Sequence, residues 1–126
     1  MTRERFEVIA QEAFDSLPET FRSRIENVHI VVEDYPSEDV AGRGGRNKFS
    51  LLGLYQGIPL TKRGTWYGAS PTVPDKITLY QRNIEAASRS EDEIRRRIVE
   101  VLFHEIGHYF GMNESQIRNA MKDFNS

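Results

Sequence analysis

Residues 90–114 read SEDEIRRRIVEVLFHEIGHYFGMNE, and the spacing in this stretch decides how the rest of the chain is read. Ser90 and Glu93 have capping-box spacing, and Glu91, Asp92 and Glu93 favour the positive end of a helix. Each of those acids stands four residues before Arg95, Arg96 or Arg97, the better orientation for pairs along a helix. Gly111 is the natural left-handed stop. The stretch predicts a helix over 90–110. At about 100° per residue, His108 falls about 40° from His104. Leu102, Ile106, Val99, Phe110 and Phe103 fall roughly 160–260° away. Two imidazoles therefore lie one turn apart, opposite the greasiest stripe. One side of the helix can pack into a core while the other lines a cleft.

That pairing has a chemical meaning. Two neutral imidazoles at i and i+4 can hold one zinc ion. Glu105, rotated about 100° from His104, is placed to miss the metal and reach a water on it. In a His-Glu-x-x-His site the metal lowers the pKa of the water and the glutamate takes its proton. A catalytic zinc site takes a third protein ligand and leaves one position open. After His108 the only acids are Glu114 and Asp123, and no histidine follows. Glu114 stands three residues past Gly111, so the turn can bring it back to the metal. Asp123 or a water is the fallback.

Outward from the helix, the chain reads as α+β. Phe6, Ile9, Ala10, Ala13, Phe14 and Leu17 predict an N-terminal helix over 3–17. Pro18 suits the first turn of a short second helix, Pro18 to Arg24. Asn27–Glu33, Phe49–Tyr55 and Lys76–Tyr80 predict strands, the last with one covered face carrying Ile77 and Leu79. Residues 36–48 and 61–75 predict loops. A short helix is expected at Asn83–Ala87. A last one runs from Glu114 to Phe124, capped by Asn113 and Gln116.

The bulk numbers bound the class. A length of 126 residues fits one ordinary domain, residues 1–126. With 38% hydrophobic and 29% charged residues the chain can bury a core, and a net charge of −2 gives no global pull toward nucleic acid or anionic membrane. There is no cysteine, which excludes thiolate ligands, disulfides and a cysteine nucleophile. No apolar run spans a membrane and no secretory signal is visible. The expectation is a cytoplasmic chain acting on a peptide or protein, with neither nucleic acid nor membrane as partner.

The helix and its sequel are similar to the metzincin metallopeptidases, whose His-Glu-x-x-His-x-x-Gly-x-x pattern usually ends in His or Asp. They resemble more closely the minimal zincins, small bacterial metallopeptidase-like proteins with the pattern His-Glu-x-x-His-x-Phe-Gly followed by an acid. Here that is His104, Glu105, His108, Phe110, Gly111 and Glu114. Leu51–Arg63 resembles that family's Leu-Tyr-x-Gly-x-Pro-Leu segment, and Ile77–Tyr80 its strand ahead of the long helix. The resemblance spans about residues 49–116. It implies a compact α+β fold, a zinc ion and peptidase-like chemistry, and no particular substrate. Glu stands at 114 where the family more commonly has Asp, and no metzincin Met-turn is evident.

On these residues the expected activity is zinc-dependent peptide-bond hydrolysis, with Glu105 as general base and His104, His108 and Glu114 as ligands. Ile77–Tyr80 is then expected as an edge strand that pairs with an extended peptide. Two alternatives are an endoribonuclease and a non-catalytic metal-binding module. An RNA-processing family shares His-x-x-x-His-x-x-Gly-x-x-His, but Glu114 replaces its last histidine and Glu105 has no counterpart there. A structural zinc usually has four protein ligands, often with Cys. His29 reads as a solvent-facing strand residue, Tyr80 and Tyr109 as packing residues, and Gly42–Lys48 as a solvated loop.

Overall fold

In a computed structural model, residues 1–23, 25, 28–43, 48–57 and 75–125 are described, apart from the side chains of 41–43 and 123–125. The elements are α1 (Arg3–Asp15), α2 (Glu19–Arg22), β1 (Val28–Glu33), α3 (Glu38–Arg43), β2 (Gly53–Gln56), β3 (Asp75–Tyr80), α4 (Gln81–Ala86), α5 (Glu91–Tyr109) and α6 (Glu114–Asn125). The architecture is α+β. Among the described residues, no helix is long and apolar enough to cross a membrane.

The three strands form one mixed sheet in the order β1-β3-β2. β3 runs parallel to β1 and antiparallel to β2. Two expectations about β3 are thereby corrected. It is the central strand and not an edge, so its main chain is taken up on both sides and cannot pair with a peptide. Both of its faces are covered: Thr78 and Tyr80 are as buried as Ile77 and Leu79. Thr and Tyr are apolar along most of their length and tolerate burial when their polar tips find partners. Among the described residues, β1 and β2 are the outer strands.

α1 packs on α5 through Phe6, Ile9, Ala10 and Ala13, the stripe its spacing predicts. Thr2 caps it by accepting from the Arg5 N–H at 3.1 Å. Of the acids and arginines at the start of α5, Glu91 and Arg95 pair across to this helix and not along their own. Arg5 of α1 holds Glu91, and Arg95 reaches Glu12 at 3.2 Å. Exposed pairs of this kind add little stability, and a neighbouring helix competes well with a weak i,i+4 pair.

The predicted loop at 36–48 contains α3, started by Ser37, whose Oγ accepts from the Val40 N–H at 3.2 Å. The expected strand at 49–55 is shorter and later. Before it, the buried Asn83 side chain donates to the Lys48 and Leu51 carbonyls at 2.8 and 2.7 Å, which fixes that segment as a turn. The loop expected at 61–75 lies, up to residue 74, outside the described residues. So do residues 44–47 of the glycine-rich stretch and 58–63 of the segment that resembles the minimal zincins.

Candidate metal centre

α5 starts where its sequence says it should. Ser90 Oγ accepts from the Glu93 N–H at 3.2 Å, and Glu93 Oε2 reaches back to the Arg89 N–H. The helix buries Ile94, Ile98, Leu102, Phe103 and Ile106 and leaves His104 and His108 half-exposed on the other side. The two rings lie 4.7 Å apart and nearly perpendicular, at 82°. Donor atoms of His104, Glu105 and His108 all fall within 4.8 Å of one another.

Four local features return α6 to these histidines. Gly111 adopts φ 75°, a conformation that disfavours any residue with a Cβ. The Gly111 N–H donates to the His108 carbonyl and the Met112 N–H to the Gly107 carbonyl, both at 2.9 Å. That is the double hydrogen bond of a Schellman stop. Asn113 and Gln116 then cap α6 reciprocally, each side-chain oxygen accepting the other's N–H at 2.8 Å. Finally, Gly107 lets Ile117 sit directly on α5, since a Cβ there would come 2.5 Å from Ile117 Cγ1.

The first residue of α6 is Glu114. Its carboxylate oxygens lie 2.9 and 3.0 Å from His104 Nε2, and one is 3.5 Å from His108 Nε2. One carboxylate thus faces the Nε2 atoms of both imidazoles. Glu105 occupies the other side of His104, with Oε2 at 2.8 Å from Nδ1. Its Oε1 accepts from the main-chain N–H of Tyr55 at 2.8 Å. That second contact requires β2 to approach α5 closely. Gly53 permits it: a Cβ there would stand 2.5 Å from Val101 Cγ1 and 3.2 Å from the Thr78 carbonyl. Glu105 is only 8% exposed, so it is no surface carboxylate.

The electrostatics follow the contacts. The hydrogen bond to Glu105, reinforced by Glu114, pushes His104 up to about 9, against a desolvation effect of opposite sign. The His104 hydrogen bond, helped by the nearby charges of His108 and Arg118, holds Glu114 below the usual carboxylate range. Two imidazoles and a carboxylate, with no thiolate, form a nitrogen and oxygen donor set that suits a borderline divalent cation such as zinc. On the donor chemistry, the residues fit a metal.

A cleft of about 1050 Å³ opens beside this cluster. Its floor is α5 at Val101, His104 and Glu105, one wall is the chain entering β2, and the other is α6 from Glu114 onward. Of the other sequence candidates, Tyr80 and Tyr109 are buried core residues, as expected for packing. Tyr109 meets Tyr55 edge-on at 6.1 Å. His29 is exposed on β1. Asp123 has its side chain outside the described residues. Sequence reasoning missed Gly53 and Tyr55, because the only signal was a glycine inside a strand, which marks close approach without naming the neighbour.

A family profile described as zincin-like metallopeptidase matches residues 25–122. Among solved structures, a conserved hypothetical protein from T. thermophilus is similar. Its TM-score is 0.56 at 21% identity, over 87% of this chain and 94% of that one. At that identity the likeness is one of fold. No curated protein matches the chain.

Proposed function

The chain belongs to the zincin-like metallopeptidase family, and from that premise we propose that it is a zinc-dependent hydrolase of peptide bonds. His104, His108 and Glu114 are the proposed ligands, with Glu105 as general base. The observation that carries the assignment is the division of the two glutamates between the two sides of His104. Glu114 addresses the Nε2 atoms of both histidines. Glu105 addresses Nδ1 and is tied by its other oxygen to the sheet. A carboxylate facing both Nε2 atoms supports a ligand role; Glu105 on Nδ1 orients the ring, and its place next to a ligand in the His-Glu-x-x-His pattern supports the base.

Bound zinc would supply Lewis acidity, polarising a carbonyl and lowering the pKa of a water. The chain supplies the rest. The Tyr55 N–H fixes Glu105 Oε1, which leaves Oε2 to accept a proton from the attacking water and return it to the departing amine. The contact to His104 uses one lone pair of that oxygen and leaves a second. The outer side of β2 at Gly53 replaces β3 as the proposed place where an extended peptide pairs, the Tyr55 N–H being held by Glu105. Leu52 O accepts from the Tyr80 N–H and so faces β3. By strand alternation Gly53 and Tyr55 face the other way, toward the cleft.

The test is metal analysis and proteolysis of the same preparations. Glu105→Gln should retain zinc and lose nearly all cleavage of an unstructured protein, while His104→Ala and His108→Ala should lose the zinc. Equal cleavage by wild type and Glu105→Gln at matched metal content would overturn the base assignment. Full zinc in both histidine variants would place the metal elsewhere.

A further inference from the structure

Past His104 the cleft continues one turn back along α5, over Val101 and Glu100. Leu51 and Leu52 line one side, Ile117 and Met121 the other. These walls are aliphatic, and among the described lining residues there is no Phe, Tyr or Trp; His104 and Arg118 are the lining groups on which a base could stack. Single-stranded nucleic acid is bound largely through such stacking. An aliphatic or aromatic side chain of a peptide fits this surface better, because it buries apolar area without needing a polar partner.

The same wall carries cations. Arg118 and Lys122 line the cleft from α6, four residues apart and so on one face of the helix. Glu114 stands four residues before Arg118, the spacing and order at which acid and base pair along a helix. No ion pair forms between them, because the Glu114 carboxylate is turned to His104 and His108, and the Arg118 charge acts on it only from further off. Arg118 and Lys122 enter no ion pair among the described residues. A guanidinium with five donors and no acceptor is thus left at the wall of the cleft, one turn from the proposed ligand.

Resting on the peptidase reading above, we propose that this cleft selects peptides with a large apolar side chain beside the scissile bond and an Asp or Glu within two residues of it. Arg118 reads the acid, and Lys122 adds a second positive charge one turn further on. Glu100 and Glu105 are the acids lining the cleft on the α5 floor, and they confine the substrate carboxylate to the α6 side by like-charge repulsion. The selectivity is a property of α6 and is separate from the metal and its ligands.

Binding to zinc-loaded Glu105→Gln protein tests this without turnover. The probes are fluorescent peptides, blocked at both ends, that differ only in carrying Glu, Gln or Lys two residues from a central Leu. At low salt the Glu peptide should bind about fivefold tighter than its Gln counterpart, a contrast that screening shrinks as salt rises. Arg118→Gln should erase the preference and Arg118→Glu should turn it toward Lys, with zinc content checked in each. The proposal fails if Glu and Gln peptides bind alike, or if Arg118→Glu leaves the preference unchanged. With the Gln peptide left unblocked at its C-terminus and a single-stranded RNA as further probes, it also fails if only the free C-terminal carboxylate is favoured, or if the RNA binds more tightly than the Glu peptide. Charge-blind binding by zinc-loaded protein whose wild type cleaves peptides would sink the selectivity alone. Protein that holds no zinc and binds no peptide would sink the peptidase reading with it.

Discussion

Gly107 and Ile117 meet where no methyl group fits: a Cβ on Gly107 would lie 2.5 Å from Ile117 Cγ1 and 2.7 Å from its Cδ1. Ile117 is 3% exposed and β-branched on a helix, so it has little freedom to turn aside. The contact therefore sets how close α6 comes to α5, and with it where Glu114 stands relative to the histidines. On the proposed ligand set, zinc affinity is thus tied to a glycine that carries no donor.

Gly107→Ala sets two effects against each other. Alanine in a helix interior gains up to about 1 kcal/mol over glycine. Overpacking a filled contact costs about 1–3 kcal/mol. The net expectation is a modest loss of thermal stability and a larger loss of zinc affinity, about 10–100-fold, as when the support of a metal ligand is removed. Chelator-competed zinc titration and calorimetry measure both. Adding Ile117→Val should recover part of the affinity. An affinity unchanged by Gly107→Ala would show that Glu114 is placed by the Gly111 turn alone.

Sequence pattern carries much of this arrangement, and the limits are physical. The caps of α5, the Gly111 stop, the Asn113–Gln116 box and the shared direction of the two histidines are local. Each depends on residues within about one turn of one another, where spacing fixes geometry. What stays hidden depends on partners far along the chain. Nothing in Lys76–Tyr80 says that strands will pair on both its sides. Thr78 and Tyr80 suggest a wet face because their buried partners are not sequence neighbours. The angle of Glu105 from His104 is readable, but its meeting with the main chain of β2 is not. Spacing alone pairs Arg95 with Glu91, and only the packing of α1 brings Glu12 to it instead.

The pH dependence of the metal-free protein follows from His104. Its folded value, about 9, lies above its ordinary 6.5. A raised value means the stabilising contribution is complete below 6.5 and is lost as pH rises through about 9. Glu114 is depressed, so its contribution is present above its ordinary carboxylate value and is lost on acidification. The melting temperature of metal-free protein should therefore fall on the alkaline side. The ring is part-exposed, and solvent screening keeps the change small. Zinc needs the neutral imidazole, so binding below about 9 expels a proton. Zinc affinity should climb by about tenfold per pH unit across that range for this one group and then level. Titration calorimetry in two buffers of different ionisation enthalpy counts the proton. No proton release at neutral pH would mean that His104 is already neutral in the metal-free state.

Gly53→Ala separates holding the metal from positioning the base. A Cβ at residue 53 would stand 2.5 Å from Val101 Cγ1 and 3.2 Å from the Thr78 carbonyl, so β2 must lift away from α5. The Tyr55 N–H is carried on that strand and would draw back from Glu105 Oε1, now 2.8 Å away. The three proposed ligands sit on α5 and α6, and the hydrogen bond from β2 goes to Glu105 instead. Zinc content should therefore stay near that of wild type. Turnover should fall, since about 1 Å of misplacement at a reacting group can cost about 100-fold. The effect should appear in both kcat and KM, because the chain entering β2 also forms one wall of the cleft. Adding Val101→Ala removes the nearer obstacle and should restore part of kcat. A Gly53→Ala protein with full zinc and undiminished kcat would show that Glu105 needs no anchor on the sheet, and that its contact with Tyr55 is only the satisfaction of an edge-strand N–H.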